Sequence, residues 1–501
     1  MTARPSQPDN KARPWQPNLG SPTPQPDTAA RHRSPTWQPH GGIEIVLIPR
    51  CTSWLHKPGG AHPPRLYVER NPENAGVRQN AQVGARHERC IVNASLQRRS
   101  CMTALTADQM ARVKATAPVF AEHGATITKH FYKRMFAAHP ELKNIFNQTH
   151  QQSGSQPETL ARAVYAYAAN IDNLGALGGA VTHIAHKHAS LNIRPEHYPI
   201  VGRHLLGAVV DVLGDAVDQP TLDAWTVAYE QLANIMIGTE AKLYEQASWS
   251  GFRPFKVIRK HVESDEITSF YLAPADGAPA GGFEPGQYVS VTRFVDKLGV
   301  DQPRQYSLSD APHGKWLRIS VKREAARGEA QAGHVSNLMH DGVEEGAVVH
   351  VSAPMGEFKL DRKLASPVVL MSGGVGITPM TSMLATLLAE RSERKVTFVH
   401  ACRNARVHAF RDWLRSMAAG HANVRCAVFY EEVGAQDRAG VDYDFEGRID
   451  IGRIEQDVML HGADYYLCGP VAFMREQREA LLARGVDASR IHTEIFGSGM
   501  L

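Results

Sequence analysis

The 501-residue sequence is poor in cysteine, with six in all and none spaced as Cys-x-x-Cys. So few thiols argue against a disulfide framework or a cysteine-rich zinc site and favour a reducing compartment, for which we expect the cytoplasm. Long apolar runs are also missing. The best one near the start, IEIVLIP at 43–49, falls far short of the ~20 residues that a membrane helix needs. No signal-peptide pattern precedes it, so we expect no membrane span.

A surplus of positive charge is missing from most of the chain. Residues 1–101 carry 14 Lys and Arg against 6 Asp and Glu, whereas residues 102–501 carry 41 against 45. The larger part therefore gives no electrostatic reason to expect nucleic-acid binding. Residues 1–101 also hold 14 of the 30 prolines and lack apolar periodicity, so we expect a disordered extension. A targeting segment and a true translation start at Met102 are the alternatives.

Three patterns follow one another in the rest of the chain. Residues 102–248 space their apolar residues three and four apart, after a predicted helix cap at Thr106, and this predicts an all-α domain. Short alternating runs bounded by Gly, Pro and Asp predict an antiparallel β-barrel or sandwich over 252–362. From 365 to 501, short apolar strands alternate with helical stretches, which predicts a parallel α/β sheet.

Three motifs in the second half indicate nucleotide chemistry. SGGVGITPM (372–380) joins a strand to a helix, and its glycines let the backbone approach a phosphate at the helix N-terminus. This turn alone is weak evidence, because many glycine-rich turns are merely tight. RQYSLS (304–309) adds an arginine, an aromatic ring and a hydroxyl on one predicted strand. DYYLCGP (464–470) ends a later strand with a Cys-Gly-Pro turn.

In this order the three motifs resemble those of the ferredoxin-reductase-like superfamily of flavin and nicotinamide reductases, over 252–501. The resemblance implies that Arg304 binds an FAD phosphate, that Tyr306 flanks the isoalloxazine and that Ser307 bonds near its reactive nitrogen. GQY (286–288) implies a flavin contact from Tyr288, and GHVSN (333–337) implies the start of a helix that caps the pyrophosphate. The other implied cofactor-binding residues of these motifs are Gln305, Gly374, Val375, Gly376, Ile377, Thr378, Pro379, Cys468, Gly469 and Pro470.

HIAHKHASLNIRPEHY (183–198) contains four histidines. On a helix His183 and His186 share a face, but His188 lies about 200° around the axis from His186. With no cysteine nearby, a zinc site is disfavoured. A haem needs only one strong axial ligand, commonly a histidine. Gln156, a suitable hydrogen-bond donor, lies 32 residues before His188, the spacing that globins use between the gas-facing residue and the proximal ligand.

HFYKRMF (130–136), LKNIF (142–146), KHAS, EHYPIVG and WTVAYEQLANIMIGTEA make residues 102–501 similar to the flavohaemoglobin family, whose domain order agrees. The resemblance implies haem b, FAD and NAD(P)H as cofactors, with His188 as the proximal iron ligand. Tyr198 and Glu240 would support its ring, with Glu240 accepting the bond from the other imidazole nitrogen. The remaining implied roles fall to Tyr132 and Gln156 facing the gas, Phe146 packing on the haem, Leu160 closing the distal pocket, and Lys187 and Glu494 tuning the haem–flavin boundary.

The C-terminal TEIFGSG implies flavin contacts from Ile495, Phe496, Gly497 and Ser498, although FGSG departs from the family's more usual Phe-Gly-Pro turn. The remaining histidines of this region are expected to be bystanders on solvent-facing or helix-contact faces: His183, His186, His197 and His204. Arg403 in HACRN (400–404) either meets the 2′-phosphate of NADPH or is a solvated turn residue, so the choice between NADH and NADPH stays open.

The implied activity is nitric oxide dioxygenation, in which NAD(P)H drives the conversion of NO and O2 to nitrate. One alternative is a haem-based gas-binding or sensor protein, which would leave the reductase half unexplained. Another is an NAD(P)H-dependent hydroperoxide or quinone reductase, which the same residues would serve. We expect small-molecule partners only, a monomer, and a lipid as a possible further ligand of the distal pocket.

Overall fold

The computed structural model describes residues 104–326, 328 and 331–497. The predicted extension (1–101) and Ser498 lie outside these residues. The described chain begins with α1 (Ala107–Ala115), α2 (Ala117–Ala138), α3 (Gln148–Gln152), α4 (Ser155–Ala169), α5 (Gly178–Ser190), α6 (His197–Leu213) and α7 (Gln219–Gln246). None of the helices in this part of the chain combines the length and apolar content needed to cross a bilayer.

The first helix starts at its predicted cap. Thr106 Oγ1 accepts the N–H of Gln109 at 3.2 Å, and Gln109 Oε1 accepts the N–H of Thr106 at 3.0 Å. The apolar pattern continues to residue 138, but the structure has two helices that meet at Thr116. Pro118 explains the break, because proline has no N–H to donate and is tolerated only in a helix's first turn.

The crossing of α6 and α7 orients one side of the candidate site. The two helices approach so closely at Gly202 that a Cβ there would overlap the ring of Tyr229. The Tyr229 hydroxyl donates to the carbonyl oxygen of Tyr198 at 2.7 Å. Tyr198 stands in the first turn of α6, so this close packing fixes the backbone from which its side chain projects.

A six-stranded antiparallel sheet follows, as predicted, in the order β4-β3-β6-β1-β2-β5. Helix α8 (His334–Gly342) begins at the GHVSN motif and packs its own side chains Val335 and Met339, both fully buried, into the apolar core of the sheet. The strands are β1 (Phe252–Val262), β2 (Ile267–Pro274), β3 (Tyr288–Val295), β4 (Val300–Ser307), β5 (Leu317–Lys322) and β6 (Val348–Ser352).

The predicted parallel α/β sheet is also confirmed, with strands in the order β10-β9-β8-β7-β11-β12. Its order reverses between β7 and β11, and ligands of such sheets bind at this switch point, beyond the carboxyl ends of the strands. The elements are β7 (Val368–Gly373), β8 (Val396–Cys402), β9 (Val424–Tyr430), β10 (Phe445–Glu446), β11 (Asp464–Cys468) and β12 (Ile491–Glu494), with helices α9 (Ile377–Ala389), α10 (Arg411–Gly420), α11 (Glu455–Val458) and α12 (Val471–Ala483).

Candidate functional site

His188 lies in the last turn of α5, and residues of two other helices hold its ring. Nδ1 lies 2.8 Å from Glu240 Oε1 and 3.2 Å from the hydroxyl oxygen of Tyr198. The Tyr198 hydroxyl donates to the same carboxylate oxygen at 2.5 Å. Glu240 is only 2% exposed, so this carboxylate serves these two donors rather than water. Because Nδ1 donates to Glu240, Nε2 is the ring nitrogen left to bind iron.

Burial and the contact with Glu240 raise the pKa of Tyr198 far above its ordinary value. The hydroxyl therefore stays protonated and keeps donating at any physiological pH. The three predicted proximal residues thus come together as one hydrogen-bonded group.

Tyr132 lies in α2 and is 7% exposed, among aromatic rings. Its ring centroid is 5.6 Å from that of Phe146, in an edge-to-face arrangement, and 5.8 Å from that of Phe136. Leu160 of α4 packs against the same apolar cluster. Burial raises the pKa of Tyr132 above its usual value, so the phenol stays protonated and can donate a hydrogen bond.

Two glutamine amides interact with the Tyr132 phenol and oppose that rise in its pKa. Gln156, in the first turn of α4, was predicted to lie here. Gln151, on the five-residue helix α3, was missed, and no periodic pattern marks it. Among the described residues, Gln156 Oε1 and Gln151 Nε2 are buried without a hydrogen-bond partner.

This donor set fits a haem. On one side of the site lies an imidazole nitrogen. Its ring is held by a buried carboxylate, and the rings of axial haem ligands are commonly held in this way. The other side offers a protonated phenol and amide atoms without partners, among apolar side chains. No three His, Cys, Asp or Glu side chains within the described ranges are grouped so that they could hold a metal ion by themselves.

A cleft lies between α5, strands β3 and β4 of the antiparallel sheet, and β12 with the residues that follow it. Eight of its nine lining residues were predicted as cofactor contacts or redox-tuning residues, and His183 is the ninth. The sequence analysis treated His183 as a bystander, but the structure has it in the wall of this cleft. Its Nδ1 lies 3.9 Å from Glu357 Oε2. The predicted lining residues are Lys187, Tyr288, Gln305, Ser307, Glu494, Ile495, Phe496 and Gly497.

Arg304 lies on β4 as a half-buried cation. Its guanidinium donates to the carbonyl oxygen of Pro303 at 2.7 Å and to Thr149 Oγ1 at 3.3 Å. Burial lowers its pKa from the usual value, and no carboxylate in the described part of the chain forms an ion pair with it. An arginine in this state fits a phosphate group. Tyr306, two residues further on in the same motif, is half-buried, and burial raises its pKa.

Lys187 and Glu494 both line the cleft, and the charge of each acts on the other. Lys187 Nζ donates to the carbonyl oxygen of Gly497 at 2.8 Å. Burial lowers the pKa of Lys187, although the Glu494 carboxylate opposes this. Burial raises the pKa of Glu494 from 4.5 to about 7, although the charge of Lys187 opposes the rise. The carboxyl group therefore changes protonation near neutral pH.

The glycine-rich turn and the Cys-Gly-Pro turn meet at the switch point of the parallel sheet. A Cβ on Gly376 would overlap the carbonyl of Cys468, and one on Gly469 would lie 3.0 Å from the backbone nitrogen of Gly373. Glycine is required at both places because the two backbones touch. Gly374 has φ of +55° with open space around it, and Pro470 packs beside Gly373.

Several predicted nucleotide contacts face the interior instead. The start of α9 is buried, and the hydroxyl of Thr378 donates to the carbonyl of Val375 at 3.1 Å. Cys468 is fully buried, and burial raises its thiol pKa. These side chains shape the turn from its buried side. The buried residues of this set are Gly376, Ile377, Thr378, Pro379 and Cys468.

Three more of the supposed bystander histidines have structural partners. His186 is 7% exposed, and its Nδ1 accepts the N–H of Gly356 in the barrel at 3.1 Å. Burial lowers its pKa to about 4, which keeps the ring a neutral acceptor. His197 Nδ1 accepts the N–H of Arg194 at 3.1 Å, and His204 packs on His139 with ring centroids 5.5 Å apart.

Arg403 is exposed in the bend that follows β8, which agrees with the second alternative from the sequence, a solvated turn residue. Its guanidinium pairs with the carboxylate of Glu266 in the barrel, and the charges of Glu431 and Glu432 also act on it. The guanidinium is therefore already neutralised by protein carboxylates.

Comparisons with known proteins identify the family. The globin model matches residues 129–236, and the oxidoreductase NAD-binding domain matches residues 370–479. A flavohemoprotein of Bordetella pertussis is 55% identical over 402 residues, which cover 79% of this chain and 99% of the relative. The chain belongs to the flavohemoprotein family. A flavohemoprotein of Rhizobium meliloti is 53% identical over 390 residues, covering 77% of this chain and 96% of that relative.

A solved structure agrees with this assignment. The crystal structure of the flavohemoglobin of Malassezia yamatoensis, with bound FAD and heme, is similar with a TM-score of 0.69 and 29% identity. The likeness covers 78% of this chain and all of that one. This flavohemoprotein is therefore an NAD(P)H-dependent oxidoreductase with haem and FAD as cofactors.

Proposed function

We propose that this flavohemoprotein is a nitric oxide dioxygenase, which uses NAD(P)H to convert NO and O2 to nitrate. The observation that carries the proposal is the buried bond between His188 and Glu240. A carboxylate that accepts the imidazole N–H at 2.8 Å gives the ring imidazolate character, which favours activating a ligand over storing it. The reductase half also supplies electrons for repeated turnover, which a gas sensor or an oxygen store would not need.

Bound FAD would turn a two-electron hydride donor into a source of single electrons, and bound haem would supply an iron that accepts them. We assign the flavin to the cleft lined by Tyr288, Ser307 and Phe496, with Arg304 as the cation for its phosphate. Backbone N–H groups where β7 passes into α9 would hold the nucleotide phosphates. Glu494, with a pKa of about 7, would hold or release a proton beside the flavin.

On the distal side, the Tyr132 hydroxyl would donate a hydrogen bond to the gas ligand and stabilise the negative charge that develops there. Gln156 and Gln151 would orient the phenol and offer further polar atoms. Phe146 and Leu160 would exclude water, which strengthens each of these hydrogen bonds by lowering the local dielectric.

We assign residues 102–248 to the globin domain, 252–362 to the FAD barrel and 365–501 to the nucleotide domain. The ends of α7 at Gln246 and of β6 at Ser352 support these bounds. A cytoplasmic location is supported by free thiols at Cys402, Cys426 and Cys468. A monomeric state and a lipid in the distal pocket remain predictions.

Oxidation of NADH by the holoprotein under air, with and without NO, tests the function. We expect NO to accelerate NADH oxidation, and NO consumption to stop when NADH or O2 is withheld. The bond between His188 and Glu240 would also suit peroxide cleavage, so an alkyl hydroperoxide and a quinone are tested in parallel. Acceleration by either of these, together with no response to NO, would establish the rival reductase.

A further inference from the structure

Gln302 lies on the flavin strand β4, yet most of its partners belong to the globin half. The side chain is fully buried. Its Oε1 accepts the N–H of Gln148 at 2.9 Å, and its Nε2 donates to the carbonyl oxygens of Lys143 at 3.1 Å and Phe146 at 3.3 Å. These three partners are main-chain groups, as is the fourth, the carbonyl oxygen of Asp301 on the same strand, which Nε2 approaches to 2.8 Å. Gln302 therefore holds the globin backbone at residues 143, 146 and 148. These belong to residues 143–152, which we call the distal segment.

The distal segment carries two of the side chains around Tyr132. Phe146 packs edge-to-face on the Tyr132 ring, and the amide of Gln151 interacts with the phenol. A displacement of this segment relative to β4 would therefore move the walls of the distal pocket. It would also change the separation between this pocket and the flavin residues of the same strand.

Neighbouring contacts attach the same segment to the same strand. The N–H of Asp301 donates to Asn144 Oδ1 at 2.8 Å, and the guanidinium of Arg304 donates to Thr149 Oγ1 at 3.3 Å. Of these contacts with the distal segment, Gln302 alone is fully buried and makes three hydrogen bonds. Loss of its amide would leave the partly buried Gln148 N–H without its partner.

Strand β4 also reaches the proximal side of the site. Gln305 Nε2 donates to Ser190 Oγ at 2.9 Å, and Ser190 stands two residues after His188 at the end of α5. Ser290 on β3 donates to the same hydroxyl oxygen at 3.1 Å. The flavin strands thus hold the globin domain at two separate places, one distal and one proximal.

We propose that Gln302 is a positioning residue that couples the flavin strand to the distal pocket. By holding the distal segment on β4, it sets the separation that electrons cross to the haem and the placement of the side chains around the gas ligand. This inference rests on the haem and flavin positions of the proposed function. Hydride transfer from NAD(P)H to the flavin should not depend on Gln302, because the nucleotide turn belongs to the parallel sheet.

The test uses Gln302→Met, which keeps the length of the side chain and removes its polar atoms. Asp301→Ala is the matched control, because this neighbouring side chain is exposed and its residue bonds Asn144 through the main chain. The first readout needs no cofactor: amide hydrogen exchange of the distal segment. Protection of the Gln148 N–H should fall about tenfold in Gln302→Met, as expected for one lost buried hydrogen bond, and stay unchanged in Asp301→Ala.

The second readout is the holoprotein in stopped flow under CO. Flavin-to-haem electron transfer should slow severalfold and CO should dissociate faster in Gln302→Met, while the KM for NADH and NADH-to-dye transfer stay at wild-type values. If Gln302→Met does not fold, Asn144→Ala, an exposed change, should move the same quantities less and in the same direction.

Wild-type rates in Gln302→Met, with or without loss of amide protection, would overturn the coupling. Equal slowing of NADH-to-dye transfer would also overturn it, since that would indicate general damage. A wild-type protein that never reduces haem would instead refute the proposed function, whatever the exchange data show.

Discussion

Replacing Glu240 by glutamine removes a buried negative charge from beside the proximal imidazole. Glutamine has nearly the same size, and its Oε1 can still accept the His188 N–H, so the change is chiefly one of charge. A hydrogen bond to a charged group is worth about 1.5–3 kcal/mol and a neutral one about 0.5–1.5 kcal/mol. The substitution therefore weakens the bond by roughly 1–1.5 kcal/mol.

The carboxylate stabilises ferric haem, with its extra positive charge, more than it stabilises ferrous haem. For a one-electron reduction, about 59 mV corresponds to a tenfold change in the equilibrium constant. If all of the roughly 1–1.5 kcal/mol is lost from the ferric state alone, the midpoint potential of the haem rises by about 40–65 mV. This is an upper range, because part of the bond energy is common to both states. Tyr198→Phe should shift the potential the opposite way, because the carboxylate then loses a competing donor and interacts more strongly with the imidazole.

Spectroelectrochemical titration of the Soret band measures these shifts in the holoprotein. Glu245→Gln is the matched control, because it removes the same charge from an exposed position on the same helix, where solvent screens it. A Glu240→Gln shift no larger than that of Glu245→Gln would show that the carboxylate does not tune the iron. The argument for ligand activation would then fail.

Further outcomes follow from the same structure. His188→Ala should abolish haem binding and spare electron transfer from NADH to a dye. If a folded His188→Ala protein lost NADH-to-dye transfer as well, the assignment of haem binding and flavin reduction to separate domains would be contradicted. Tyr132→Phe should raise the O2 dissociation rate about tenfold, the value of one buried hydrogen bond, and an unchanged rate would remove Tyr132 from this role. In the folded protein the pKa of Glu494 is raised from 4.5 to about 7. The stability contributed by its protonated form is therefore fully present below pH 4.5 and is lost as the pH rises through 7. Thermal denaturation of the cofactor-free protein should therefore show a fall across that window that Glu494→Gln lacks. Deletion of residues 1–101 should leave haem reduction and NADH-to-dye transfer intact, and a large loss of either would contradict the interpretation of the extension.

The proximal and flavin residues could be predicted because they stand in regular elements or in compact motifs. The roles of His188 and Glu240 came from the resemblance to a known family, whereas the apolar spacing predicted only the helices that carry them. Their hydrogen bond could not be derived from spacing, because it depends on how α5 and α7 pack. The same limit applies to the sheet order, since it depends on pairings between residues far apart in the chain.

The residues that the sequence did not reveal are polar side chains buried by contacts between domains. Histidine and glutamine are polar residue types that a sequence suggests for the surface. His186 and Gln302 are nevertheless buried, where the globin half meets the barrel. Gln151 lies on a five-residue helix, too short for a periodic pattern to place its face. Thr378 lies in a correctly predicted motif, yet its hydroxyl turns inward, because a motif specifies the backbone turn better than side-chain direction.

The most direct test of the account is the nitrate yield of the holoprotein supplied with NADH, O2 and NO. Because a hydride carries two electrons and each NO consumes one, the account predicts about two nitrate molecules per NADH oxidised. It also predicts no nitrate from His188→Ala. NADH oxidation without nitrate, or nitrate that persists after His188 is replaced, would contradict the proposal that the haem held by His188 converts NO to nitrate.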